Sequence, residues 1–478
     1  MYRIVTMTSW LPDIKEGKSP LYIRVADQIE DAIMAGDLQA GAKLPPQRNL
    51  AYDIGVTIGT ISRAYSLLHE RGLVSGEVGR GTYVRSRPEI ASQDANDPAT
   101  VSFAGTRPFH PPPGKIRFDS TAAPDVGQNQ IIASVINEIM RDHPREIASY
   151  TRSFPDHWSE AGARWLSYSK WTPAIDSVVP TLGAHAGVMA IISSLTSPGD
   201  RIVFEHMTYS QISRAAGLIG RRSSLVDSDD FGVLPEDFER VCLQQHPKIA
   251  FFMSSAQNPT LATLPLDRRR EIADIAHRHN VWLIEDNLYG AMNKKDIPLI
   301  AELAPDRTFV IDGLSKSVAA GVRGGWVACP PHFAQRVRIA HKMITGGLPF
   351  MLAELCSRLV LSGEAERIWE RCREEINARE ALAKEILAGY DFNSNPDIPF
   401  LWLKLPEPWL SATFKNAVLA DGVLIDDEDE FRAGRSGKIT HRVRIGFSSP
   451  HTREDVSNGL KVVRRLLENG SAGYDSLA

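Results

Sequence analysis

Long apolar runs are missing from this chain of 478 residues. None reaches the roughly 20 residues of a membrane-spanning helix. The N-terminal stretch, Met1 to Pro20, also holds no extended apolar core, so no secretion signal is expected. Cysteine is scarce. The four present (Cys242, Cys329, Cys356 and Cys372) show no CxxC spacing, so neither a disulfide framework nor a metal site is expected, and a reducing cytoplasm fits. Charge of one sign is lacking too. The net charge is -4, and the chain as a whole carries no signal for nucleic acid or membrane. What remains is ordinary globular material, 43% hydrophobic and 23% charged, long enough for two or three domains.

The N-terminal part breaks the charge pattern. Between Gly41 and Arg87 stand seven basic residues and three acidic ones, so this stretch is basic within an acidic chain. The spacing of Ile23, Ala26, Ile29, Ile33 and Met34 predicts a helix over Leu21–Ala35, stopped by Gly36. A second, short helix is predicted near 47–54. A third is predicted over 58–71, with Thr57 as its N-cap and Gly55-Val56 as the tight turn before it. Leu73-Val74 and 79–84 read as a hairpin with a glycine-rich tip. This is the order of a winged helix-turn-helix, whose later helix enters a DNA major groove. The plainer alternative is a small helical module docked on the rest of the chain. Basic residues at a helix start, in mid-helix and at the wing favour DNA.

The same stretch resembles the GntR family of bacterial regulators. The resemblance rests on Leu21-Tyr22, Gly36-Asp37-Leu38, Lys43-Leu44-Pro45, Leu50-Ala51, Gly72-Leu73-Val74 and Gly79-Arg80-Gly81-Thr82-Tyr83-Val84. It implies contacts to a double-stranded DNA operator from Arg48, Thr57, Thr60 and Arg63, with Arg80 at the wing. The family often has Arg where this chain has Ile58, a departure that bears on which bases are read.

Residues 86–117 read as a linker, with Pro88, Pro108 and Pro111-Pro112-Pro113 and little apolar periodicity. It could carry a signal between domains or be a passive tether. Beyond it, short apolar runs at 177–180, 201–204, 249–253, 281–284 and 308–311 alternate with helical stretches. That predicts an α/β domain with a mostly parallel sheet. Ligands of such sheets sit at the carboxyl ends of the strands, so the residues just after each run matter most.

The richest such stretch is Asp312 to Trp326. Lys316 stands among small residues and hydroxyls, with no carboxylate in the next eight positions. Partial desolvation favours the neutral amine, the form that attacks an aldehyde. Ser315, Ser317 and Arg323 suit a phosphate. Aldehyde and phosphate on one small molecule point to pyridoxal 5'-phosphate (PLP), and the plain alternative is a glycine-rich turn with a surface lysine. The other strand ends add groups. Gly183-Ala184-His185 before a helix could hold a phosphate, although His185 could equally be a solvated histidine. Tyr209 could stack on a ring or be plain core. Asn258 could donate to a phenolate oxygen. Asp286 could pair with a protonated pyridine nitrogen, and Tyr289 could reach a ring hydroxyl.

With those residues in place, the region resembles fold-type I aminotransferases. Joined to the GntR-like part, it resembles MocR-type regulators. The implied fold class is α/β: a winged helix over 1–85, a linker over 86–117, and an aminotransferase-like domain over 118–478 ending in a smaller α+β subdomain. By resemblance, Lys316 carries PLP as an imine, Asp286 pairs with the ring nitrogen, and Asn258 and Tyr289 hold the ring oxygen. Tyr209 stacks, while Gly183, Ala184, His185, Ser315 and Arg323 hold the phosphate. Arg444 binds a carboxylate of the effector or substrate, and Tyr150 is lent across a head-to-tail homodimer. Three positions depart from the pattern: Leu261 stands for a glycine, Gly313 for a hydroxyl residue, and Ala184-His185 for a small hydroxyl and an amide. The acidic run 426–430 has two readings, a solvated loop or a selector for a ligand with an extra amine. The expected function is a cytoplasmic, PLP-binding transcriptional regulator. The alternative is an active aminotransferase carrying a DNA-binding domain, and a third is a pure PLP sensor.

Overall fold

In a computed structural model the described residues are 11–12, 20–39, 42–71, 73–77, 81–84, 114–292, 297–434 and 439–475. They fall into two compact units, one within 11–84 and one within 114–475.

The first unit packs three helices, Leu21–Ala35, Gln47–Asp53 and Ile58–Glu70, beside a hairpin of Val74–Glu77 and Gly81–Val84. Val25, Ala26 and Ile29 of the first helix meet Ile61, Ala64 and Leu68 of the third. The apolar stripe at helical spacing is what sets this core. Gly36 ends the first helix in the left-handed region at φ 87°, where glycine carries no steric cost. The backbone N–H of Thr60 donates to Oγ1 of Thr57 at 3.2 Å, so Thr57 caps the third helix as expected. The hairpin is antiparallel, with Val74 opposite Val84 and Glu77 opposite Gly81.

The second unit is built on a seven-stranded sheet. Its spatial order is Val178–Thr181, Gly325–Ala328, Thr308–Gly313, Trp282–Asp286, Ile249–Phe252, Arg201–Glu205 and Arg222–Val226. Val178–Thr181, Ile249–Phe252 and Thr308–Gly313 are buried along their whole length. Helices on both faces require such unbroken apolar runs, and these are the runs visible in the sequence.

One strand of the sheet lies outside the apolar runs picked out in the sequence, Gly325–Ala328. It is a strand antiparallel to both neighbours, while the other pairings in the sheet are parallel. Its reversed direction brings Arg323, just before it, to the edge where the parallel strands end. Gly325 is required there. A Cβ on it would stand 2.8 Å from the backbone nitrogen of Ala184.

A smaller antiparallel sheet orders Phe392–Asn393, Phe400–Lys404, Arg442–Gly446 and Asp426–Asp427, beside the long helices Glu364–Ile386 and Arg453–Asp475. Ile116–Arg117, the end of the stretch read as linker, pairs in parallel with Val423–Leu424. Phe118 continues this seam by donating to Leu424 O at 2.8 Å and accepting from the Gly446 N–H at 2.7 Å. The chain at 116–118 is thereby fastened to the small subdomain, and the Ala123 N–H donates to Ser315 O at 3.3 Å.

Candidate functional site

The carboxyl ends of the parallel strands open on one cavity of about 250 Å3. Eleven of the residues singled out in the second unit line it. Lys316 follows Thr308–Gly313, Asp286 ends Trp282–Asp286, and Tyr289 comes three residues later. Asn258 follows Ile249–Phe252, and Tyr209 follows Arg201–Glu205. Gly183, Ala184 and His185 open the helix Gly183–Leu195, which points its positive end into the cavity. Ser315, Arg323 and Arg444 complete the set. Tyr150 is not among them. It lies outside the cavity and is 89% exposed.

The polar network explains how these groups are held. Nζ of Lys316 donates to Oγ1 of Thr121 at 3.2 Å. Thr121 Oγ1 also shares a 2.7 Å hydrogen bond with the Tyr289 hydroxyl. Thr121 escapes sequence reasoning because Ser120-Thr121-Ala122-Ala123 follows no long apolar run. The seam at Phe118 is what brings it in. Asp286 is buried and accepts from the Leu288 N–H at 3.1 Å. Desolvation pushes its carboxyl up to about 6, against the pull of that N–H and of Lys316. Burial, aided by Arg323, lowers His185, which keeps its imidazole neutral. His185 and Tyr209 meet edge to face with centroids 6.3 Å apart, and Tyr209, partly buried, lines the cavity. His341, also missed, accepts the Leu182 N–H at 2.9 Å and so braces the start of the helix Gly183–Leu195.

Of the acidic run only Asp429 is exposed. Asp426, Asp427, Glu428 and Glu430 are buried, each against a partner. Asp426 meets Arg444 at 2.6 Å, Asp427 lies 3.6 Å from Lys415, and Glu430 lies 3.5 Å from Arg214. Glu428 accepts the Thr440 N–H at 2.7 Å. Arg444 also donates to Asn258 Oδ1 at 2.9 Å. The plain reading fails because Asp426–Asp427 is a strand of the small sheet, in register with Val443 and Arg444.

On the first unit, Arg48, Thr57 and Arg63 are exposed and Thr60 is half-buried. Ile58 stands beside them, 51% exposed at the start of the third helix. Arg80 lies outside the described residues. Arg71, one of the seven basic residues between Gly41 and Arg87, pairs with Asp27 at 2.7 Å and with Glu30 at 2.5 Å.

A helix-turn-helix with a hairpin and a fold-type I sheet with a lysine at its edge define a class: regulators built on an aminotransferase-like unit. Residues 113–463 match the family described as aminotransferase class I and II, and residues 21–84 match bacterial regulatory proteins of the gntR family. The chain belongs to the aminotransferase class I and II family, within its HTH-type transcriptional regulators that carry a GntR domain. It is 30% identical to the uncharacterized HTH-type transcriptional regulator YdeF of Bacillus subtilis (strain 168), over 96% of this chain and 97% of YdeF. It is 24% identical to YdcR, another uncharacterized HTH-type transcriptional regulator, of Escherichia coli (strain K12), over 87% and 92%. In fold, it resembles LysN, an α-aminoadipate aminotransferase from Thermus thermophilus, with a TM-score of 0.67 at 19% identity over 77% of this chain and 94% of LysN.

Proposed function

We propose that this chain is a PLP-dependent, DNA-binding transcriptional regulator. PLP or an amino compound at residues 118–478 controls operator binding by residues 1–85, and 86–117 connects the two. The observation that carries this reading is the convergence of Lys316, Asp286, Tyr289 and Asn258 on one cavity, in a chain that also holds a GntR helix-turn-helix. The LysN structure, described as complexed with N-(5'-phosphopyridoxyl)-L-leucine, supports the choice of cofactor.

The residues present fit that group. Asp286 is a buried carboxylate with a backbone donor on Oδ1 alone, and a protonated ring nitrogen would relieve its desolvation. The start of Gly183–Leu195 packs on Gly325, where a Cβ would collide with the Ala184 nitrogen, so this cradle is lined by backbone. Backbone N–H groups at a helix start, together with Ser315 and Arg323, suit a phosphate. When bound, the group supplies an aldehyde to which primary amines attach reversibly. Nζ of Lys316 would hold it until an effector amine competes. The Asp286 carboxylate would keep a proton on the ring nitrogen, Tyr289 and Asn258 would bond the ring oxygen, and Tyr209 would cover one face. Arg444 lines the same cavity.

The effector changes DNA binding only if it binds two arrangements of the protein with different affinity. A head-to-tail homodimer in the cytoplasm suits this, with exposed Tyr150 offered to the partner's site. The test pairs an absorbance spectrum with a DNA-shift assay, with and without PLP and candidate amines. A band near 420 nm, roughly, that responds to amines together with an altered shift is expected. Protein that stays colourless with PLP, and whose DNA binding ignores both, would overturn the reading. The second reading, a working aminotransferase, draws on the retention of both Lys316 and Asp286 in an open cavity. Rapid amino-group transfer to a 2-oxo acid, without operator binding, would favour it.

A further inference from the structure

Resting on the cofactor reading above, we infer that Asp426 sets the ligand class of this cavity: a primary amine that carries no α-carboxylate, rather than an α-amino acid. An amino acid needs a cation at the end of the cavity away from the phosphate cradle. Among the described residues, Lys316, Arg323 and Arg444 are the cationic side chains that line the cavity. Lys316 and Arg323 face the cofactor, which leaves Arg444.

Arg444 is already neutralised within the protein. Its Nη2 lies 2.6 Å from Oδ2 of Asp426, and its Nη1 donates to Asn258 Oδ1 at 2.9 Å. Asp426 is fully buried and Arg444 is 3% exposed. The pair is not a chance contact of mobile side chains, because Asp426 and Arg444 are directly opposed partners on adjacent antiparallel strands. The Phe400 and Phe431 rings flank the guanidinium, with centroids 5.3 and 4.7 Å away, and hold it in place.

A carboxylate entering here has two routes, and both are unfavourable. It could displace Asp426, leaving a buried charge without its partner. Or it could share the guanidinium and lose its water beside a like charge at low dielectric. A neutral or cationic tail meets neither obstacle.

The experiment titrates PLP-loaded wild-type protein with matched pairs that differ at the carboxyl group: L-leucinamide against L-leucine, and cadaverine against L-lysine. Half-saturation of the change in the absorbance band is the readout, and free PLP in buffer corrects for the intrinsic reactivity of each amine. The carboxylate-free member of each pair is expected to saturate at a concentration at least about tenfold lower. In Asp426→Asn, which keeps a hydrogen bond to Arg444 and removes the charge, the gap should close through gain of the amino acid. If the amino acids saturate at equal or lower concentration in wild-type protein, the inference is wrong while the cofactor reading stands. An unchanged ratio in Asp426→Asn likewise overturns it. If no band forms with PLP at all, the cofactor reading fails and takes this inference with it.

Discussion

Nζ of Lys316 stands 3.2 Å from Oγ1 of Thr121, and that same oxygen lies 2.7 Å from the Tyr289 hydroxyl. A hydroxyl from the chain's entry segment thus ties together the amine and the phenol of the site. Thr121→Val keeps the shape and removes both bonds. Buried hydrogen bonds are each worth about 1 kcal/mol, so PLP affinity should fall by up to roughly 30-fold. Lys316→Ala should abolish the band near 420 nm, roughly, altogether. A titration of apo protein with PLP, followed by absorbance, checks both.

His341 offers a pH test. Burial lowers its imidazole to about 4, and its neutral Nε2 accepts the Leu182 N–H. In the unfolded chain the ring takes its proton near 6.5. The folded state therefore keeps its full stability above that value and loses it as pH falls toward 4, by an amount on the order of 2–3 kcal/mol. His341→Gln keeps an acceptor and does not titrate. Urea midpoints at pH 7 and pH 5 should differ more for wild-type protein than for His341→Gln.

Asp286 behaves in the opposite sense. Its carboxyl is pushed from 3.8 to about 6, so the folded state holds a proton that the unfolded chain has lost. Stability of the cofactor-free protein falls as pH rises through that window. Asp286→Asn should therefore stabilise the apo protein above pH 6 by on the order of 1–3 kcal/mol and have no effect below pH 4. The same change would remove the proposed partner of the PLP ring nitrogen, so PLP binding should weaken while melting temperature rises. A merely structural role for Asp286 would not split the two readouts.

Gly313 shows why one family position is altered here. A Cβ on it would lie 2.6 Å from the backbone oxygen of Gly324. Restoring the hydroxyl residue common in the family, by Gly313→Ser, should cost about 1–3 kcal/mol through overpacking rather than improve the site. Thermal unfolding of the variant checks this.

The architecture was legible where one period dominates. Buried strands such as Ile249–Phe252 read as unbroken apolar runs, and the helix Leu21–Ala35 as a stripe with a glycine stop. The cavity was legible because parallel strands deliver their next residues to one edge. What stayed hidden depends on long-range pairing. Gly325–Ala328 holds two glycines' worth of turn signal in its approach, yet it is a strand because its neighbours supply the ladder. Asp426 reads as solvent-loving until strand register sets it against Arg444. Thr121 has no periodic run before it and arrives through the seam of Ile116–Arg117 with Val423–Leu424. Leu261, where the family has glycine, keeps the left-handed φ of 65° that explains the family's choice.

The winged helix separates two arginines that look alike in sequence. Arg63 is exposed on the third helix, whereas Arg71 near its end reaches back to Asp27 and Glu30 of the first. A guanidinium held between two carboxylates has no net charge to offer a phosphate. Arg63→Ala should weaken binding to duplex DNA and lower the slope of log affinity against log salt by about 1. Arg71→Ala should leave that slope unchanged and instead destabilise the first unit, by about 1 kcal/mol because both partners are half-exposed. Salt-dependent DNA-shift titrations and thermal melts of the two variants distinguish the roles. If Arg71→Ala changes the salt slope as much as Arg63→Ala does, the inward pairing does not survive in solution.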